Sequence, residues 1–122
     1  MPVHTRWYDD EHTIIYIEFT DPWNIEETLN ETARIQEMMD SESGTVHSIA
    51  LFDVKSLPDD ILIRLPDINR AAPLGHPRHG IGVVIPRTPL VESVTRIYTM
   101  VYKKLHIVKT IEEAEAIIDE LK

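Results

Sequence analysis

Residues 48–60, SIALFDVKSLPDD, decide how the chain is read. Ile49 to Phe52 is an apolar run, Asp53 ends it, and a short loop leads to Pro58-Asp59-Asp60, where a helix can start. A short apolar run without alternation is the pattern of a strand covered on both faces. In open α/β sheets the carboxyl ends of such strands are where ligands and switches are placed. Asp53, Lys55, Ser56, Asp59 and Asp60 are therefore the first candidates for a binding site.

Towards the N-terminus, the strand extends back to Val46 and is preceded by a helix. Ile25, Leu29, Thr32, Ile35 and Met39 recur at helical spacing and define its buried face. Asn24 with Glu27 is a capping-box start, Asp21-Pro22 is a rival one, and the breakers Ser41 to Gly44 stop the helix. Val3–Tyr8 and Thr13–Phe19 are β-type runs joined by Asp9-Asp10-Glu11-His12, which reads as a hairpin.

Towards the C-terminus, 58–72 reads as two short helices or one kinked at Pro66, because proline removes a backbone donor. Pro73 to Gly80 reads as a surface loop and Ile81–Pro86 as a buried strand. Thr88-Pro89 starts a helix expected to run through Lys104, with Leu90, Val94, Ile97, Tyr98 and Val101 on its inner face. Leu105–Val108 is a last strand. Thr110 with Glu113 caps a final helix lined by Ile111, Ala114, Ile117, Ile118 and Leu121. The expected order is ββαβαβαβα. It implies one α/β domain over residues 1–122, with a mixed, mostly parallel sheet of about five strands, an N-terminal hairpin, about four helices and right-handed crossovers.

Composition narrows the functional classes. The net charge of −9, from 21 acidic and 12 basic residues, repels phosphate backbones and anionic lipids. Nucleic-acid binding and membrane insertion are therefore not expected, and Lys103-Lys104 with Lys109 reads as a solvated helix end. Without cysteine there are no disulfides, thiolate metal sites or thiol nucleophiles. A polar N-terminus and the lack of a long apolar run point to a soluble, cytoplasmic protein.

Three stretches carry a family resemblance: Asp21-Pro22-Trp23 before the first helix, Ile49 to Asp53 with Leu57-Pro58 beyond it, and the C-terminal run from Val94 to Tyr98 through Leu105–Thr110 to Ile111-Glu112-Glu113-Ala114. With the element order, these resemble the STAS-like domains, the anti-sigma-factor-antagonist superfamily, in a bacterial branch. The resemblance implies a regulatory module that switches when a serine or threonine is phosphorylated at the helix start after the central strand, where added charge makes or breaks a partner contact. Here that start is Pro58-Asp59-Asp60-Ile61, with carboxylates in place of the hydroxyl, and the nearest hydroxyl, Ser56, lies earlier in the loop. The usual phosphorylatable serine is thus absent.

Two other constellations compete. Asp53, Thr88 and Lys109, each following a strand, also resemble the phosphoacceptor, hydroxyl and lysine of a response-regulator receiver, but only Asp21 stands where receivers place a Mg²⁺-binding acidic pair. Asp53 as a loop-capping carboxylate is the plainer reading. His76 and His79 in GHPRHG lack a third ligand, and Arg78 between them opposes a cation, so they read as exposed loop histidines. Glu26-Glu27 and Glu112-Glu113 fall in first helical turns, where the dipole explains them. Trp23 reads as a staple against its helix and a rim of the site. Tyr98, Met100 and Tyr102 offer an outer patch for a homodimer.

The expectation is a non-enzymatic regulatory or protein-interaction module with no metal and no cofactor. It engages a protein partner, itself, or a small ligand through Asp53, Lys55, Ser56, Asp59, Asp60 and Trp23. The rivals are a small-molecule or lipid carrier, with a pocket between sheet and helices, and a receiver-like phosphoacceptor using Asp53.

Overall fold

The structure is a computed structural model that describes residues 3–55, 57–61, 63–64, 66–67, 76–100 and 102–121. In chain order, the strands are β1 (Val3–Trp7), β2 (Ile14–Thr20), β3 (Val46–Asp53), β4 (His79–Pro86) and β5 (Leu105–Ile107). The helices are α1 (Ile25–Asp40), α2 (Pro89–Thr99) and α3 (Ile111–Leu121). The fold is α/β. The strands form one mixed sheet in the order β1-β2-β3-β4-β5, with β1 antiparallel to β2 and all later pairs parallel.

Alternation along β2 and β3 sorts the core into two layers. Ile15, Ile17 and Phe19 of β2 join Val46 of β3 on one face, beneath Ile35 and Met39 of α1 and Val91 of α2. Tyr16, Ile49, Leu51, Ile81, Val83 and Ile85 line the opposite face, which Ala114 and Ile118 of α3 cover. A hydrogen bond from Tyr8 Oη to Glu115 ties α3 to the hairpin, and that carboxylate pushes the phenol up to about 12.

Local chemistry explains the boundaries. Asn24 Oδ1 accepts the Glu27 amide at 2.8 Å, so Asn24 and not Asp21-Pro22 starts α1. Thr110 Oγ1 accepts the Glu113 amide at 3.1 Å at the head of α3. In the hairpin turn, Asp9 Oδ1 accepts the Thr13 and Ile14 amides and Oδ2 the Thr13 hydroxyl. His12 takes φ 60° there, its ring stacked on Trp7 at 4.3 Å.

Three expectations are corrected. Among the described residues the order of elements is ββαββαβα, with three helices instead of about four. Of the expected helix over 58–72, residues 62, 65 and 68–72 lie outside the described residues. Helical bonding is marked there by Ile61 N to Pro58 O and Arg64 N to Asp60 O, and Pro66 has no amide to add. Next, β4 begins at His79, so that residue belongs to a buried strand and not to an exposed loop. Last, α2 ends at Thr99, five residues short of Lys104, and its face is turned. Val91 and Thr95 are buried, whereas Leu90 and Ile97 are 53% and 58% exposed, and Val101 lies outside the described residues. Leu121 is likewise exposed rather than inward.

One irregularity in the sheet has a complete physical account. The β3–β4 register steps from Val46↔His79 to Ser48↔Gly82, so β4 carries an extra residue, a β-bulge. The bulge takes the Ile81 amide out of the backbone ladder. His47 Nδ1 accepts that amide at 2.8 Å, which fixes the proton of a neutral imidazole on Nε2. The ring fits only because residue 80 has no side chain: a Cβ there would lie 2.5 Å from His47 Nδ1 and 2.6 Å from Thr45 Cγ2. We predict that Gly80→Ala destabilises the fold by about 1–3 kcal/mol in urea unfolding, since the ring must leave and the Ile81 amide is orphaned. Gly44→Ala, where a Cβ meets nothing within 4 Å, is the near-neutral control.

Candidate functional site

The segment after β3 divides into an outer, charged set and an inner, apolar set. Asp53 ends β3, exposed, opposite Thr20 of β2. Lys55 is exposed, and its amide donates to Asp21 Oδ2 at 2.9 Å. Asp59 and Asp60 are exposed, and Ser56 lies outside the described residues. Arg64 gathers carboxylates from both sides: Asp67 at 2.8 Å, Glu26 of α1 at 3.0 Å and Asp60 at 3.7 Å. This bracket pins the segment to the head of α1. The proposed charged site residues thus share one edge of the sheet, but they face solvent.

Leu57 and Ile61, from the same segment, turn the other way and line a cavity of about 180 Å³. It lies between the α1/α2 face of the sheet and those helices. Ile17, Phe19, Ala50 and Phe52 form its floor, Ile35 and Val91 flank it from the helices, and Trp23 stands at its wall. Among the described residues, Trp23 is the one sequence-nominated site residue in this lining. Its ring meets Phe19 edge-on at 5.3 Å and Phe52 at 6.0 Å, while Phe19 and Phe52 stack at 4.2 Å. This arrangement makes a rigid aromatic corner.

The threonine hydroxyls around the cavity are already satisfied. Thr28 donates to Asn24 O at 3.0 Å, Thr32 to Leu29 O at 2.8 Å, and Thr95 to Val91 O at 2.8 Å. Each hydroxyl is turned to its own helix, so these threonines present methyl groups and the wall is almost wholly apolar. Ser48, also in the lining, pairs with His79 Nε2 at 2.9 Å. A serine beside a histidine invites a nucleophilic reading, but Ser48 stands mid-strand, paired with Ile15 on one side and Gly82 on the other. Its neighbouring amides are committed to the sheet, leaving no donors for an oxyanion. Burial, with His47, Lys104 and His76 nearby, also lowers the His79 pKa to about 4, which makes it a poor base.

Two of the receiver-like residues, Thr88 and Asp21, hold local structure. Thr88 Oγ1 accepts the Val91 amide as the α2 cap, and Asp21 is engaged by the Lys55 amide. His76 is a strut, its Nδ1 accepting the Arg78 amide at 3.0 Å and its Nε2 donating to Asp40 Oδ1 at 2.7 Å. Among the described residues no cluster of three or more His, Asp or Glu side chains could hold a metal ion. No helix among them is long and apolar enough to cross a membrane. No family model, curated protein or solved structure matches the chain.

The carrier rival put a pocket between sheet and helices but named none of its lining residues other than Trp23, because the reading of 48–60 fixed on the charged side chains. The available signal was Leu57 and Ile61, apolar residues interleaved with the acidic ones at the helix start.

The buried His79 sets a pH dependence. Its folded pKa of about 4 lies below the ordinary 6.5, so the unfolded chain binds the extra proton between those values. The stability is complete above pH 6.5 and is lost as the pH falls towards 4. The loss attributable to His79 is about 3 kcal/mol. His79→Gln, which keeps a partner for Ser48, should flatten this part of the wild-type profile in chemical denaturation between those pH values; parallel profiles would refute the assignment.

Proposed function

We propose that this domain is a non-catalytic binder of a small apolar ligand, held between the sheet and helices α1 and α2. The observation that carries this reading is the aromatic-cornered cavity, with hydrocarbon on nearly every wall. Well-packed interiors leave few voids larger than a water molecule. An apolar cavity of about 150 Å³ stays dry and accepts benzene, so this one suits a body of about seven carbon atoms, or the buried part of a longer chain. Trp23, Leu57 and Ile61 place it beside the carboxyl ends of β2 and β3, where open α/β sheets commonly bind ligands.

The STAS-like assignment is part of the same proposal. A hairpin leading into parallel strands in sequential order supports it, as does the helical turn after the central strand. Under that assignment, the fixed carboxylates Asp59 and Asp60 stand in for a switchable hydroxyl, and the module signals through its ligand instead of through phosphate.

One observation favours a second role, in protein association. Leu90, Ile97 and Met100 are exposed on the outer side and end of α2, the last at 76%. Apolar residues grouped on a surface helix mark contact surfaces. If this is a self-association face, Ile97→Glu will shift the species seen in native mass spectrometry from dimer to monomer.

Filling the cavity tests the ligand reading directly. Ala50 lies on its floor and is flanked in register by Ile17 and Val84. Ala50→Leu should abolish the uptake of apolar fluorophores and of any co-purified ligand seen by native mass spectrometry. Its unfolding free energy should stay within about 1.5 kcal/mol of wild type, because the added methyls enter empty space. Unchanged uptake in a folded Ala50→Leu protein would rule the cavity out as the site.

A further inference from the structure

Helix α2 belongs to the cavity on one side and to the surface on the other. Val91 and Thr95 are buried in the cavity wall, whereas Val94, also in the lining, is only half-buried. A helix turns about 100° per residue, so Leu90 and Ile97 are the neighbours of Val94, one turn before it and one turn after. Both are more than half exposed, and Met100, a further turn on, is more exposed still. Glu92 and Arg96 lie on the remaining side of the helix, where they pair with each other at 3.3 Å. Hydrocarbon therefore continues from the buried Val91, over Val94, to Leu90 and Ile97 on the outside. The cavity itself opens to solvent.

Size and polarity then choose between a compact occupant and one end of a longer one. A volume of about 180 Å³ holds about seven carbon atoms. The wall is almost wholly apolar, and its threonine hydroxyls are spent on helix carbonyls. A polar end of the ligand would lose its bonds to water there, so it stays outside. A compact apolar body would leave Leu90 and Ile97 bare, whereas a chain that leaves the cavity past Val94 covers them. The row is one side chain wide, which suits a linear chain and not a broad ring system. A second copy of the protein is the weaker occupant: three exposed side chains on one helix are few against the roughly 20–30 residues a side of a standard interface.

We propose that the ligand is a linear hydrocarbon chain longer than the cavity. One end fills the space beside Phe19, Trp23 and Phe52, the chain passes Val94, and its continuation lies along Leu90 and Ile97 with the polar end in solvent. The proposal rests on the ligand-binding reading above and decides the class of ligand. Val94 is then the threshold of the site, and Leu90 with Ile97 its outer half. Chain length, more than head group, is what such a site selects.

Trp23 makes the test direct. The chain has two tryptophans, so Trp7→Phe, which keeps a ring against His12, leaves Trp23 as the only one, at the cavity wall. In that background Trp23 emission is titrated with n-hexanol, n-octanol, n-decanol and n-dodecanol below their solubility limits. Affinity should rise about fourfold per added CH₂ up to octanol, the increment of full burial, and about twofold per CH₂ from there to dodecanol, where one side of the chain stays wet. Adding Leu90→Gln and Ile97→Gln together should abolish the second rise and leave hexanol binding unchanged, which also reports that the variant is folded. A plateau at octanol with α2 intact would mean a compact ligand and overturn the proposal. If native mass spectrometry then also shows a dimer that the double change splits, the face belongs to a second copy. A rise that continues in the double variant overturns the path along α2. If no alkanol perturbs Trp23 or survives native mass spectrometry, the ligand-binding reading fails with it. Where the proposal holds, native mass spectrometry after exposure to phosphatidylcholine vesicles names the source of the chain: a bound phospholipid supports a membrane lipid, and decanol bound without one supports a free amphiphile.

Discussion

The fold depends on the double burial of β3. This strand is hydrogen-bonded on both edges, to β2 and β4, and apolar on both faces. A strand in that position can exist only if every backbone group finds a ladder partner and both faces find a cover. The hairpin and β4 meet the first demand, and the helices on opposite faces meet the second. The bulge at Gly80 follows from the same constraint. Where β4 slips by one residue, the freed Ile81 amide is inside the protein and cannot turn to water, so a side chain must accept it, and His47 does.

The two faces are covered in different ways. α3 lies against its face through small and branched residues, Ala114 and Ile118, and packs closely. The other face is roofed by α1 and α2, whose inward positions include Thr28, Thr32 and Thr95. Threonines that spend their hydroxyls on their own helix are short and cannot reach across to fill the space between sheet and roof. The cavity is the geometric result of that choice of residues. Longer aliphatic side chains at those positions would have closed it. The charged bracket of Arg64 with Glu26, Asp60 and Asp67 then holds the inner residues Leu57 and Ile61 at the cavity wall from outside.

This contrast explains what could be read from the chain. The caps Asn24, Thr88 and Thr110 were legible because N-capping is local chemistry. The strands were legible because their apolar runs are short and bounded. The face of α2 was misread because hydropathy ranks Leu90 and Ile97 above Thr95 as core residues, whereas the bond from Thr95 to Val91 O removes the penalty for burying threonine. His79 looked exposed among loop residues, since nothing in its sequence neighbours announces that β4 starts two residues early to meet Val46. Asp53, Lys55, Asp59 and Asp60 follow the carboxyl end of β3 and are exposed, but the cavity near them has no residue type of its own. A void is a property of several elements at once, and no single stretch of sequence spells it.

The position of α3 in the chain has a consequence for synthesis. It is the last of the described elements to leave the ribosome, and its Ala114 and Ile118 pack against the layer of Ile49, Leu51, Ile81, Val83 and Ile85. Until Ile118 has emerged, a nascent sheet would show that row of aliphatic residues to the surroundings, the kind of surface on which chains stick to one another. The interval is short, but during it the protein is most exposed to chaperones and to other copies of itself. Its vulnerability in a cell is therefore set by the order in which its two roofs arrive.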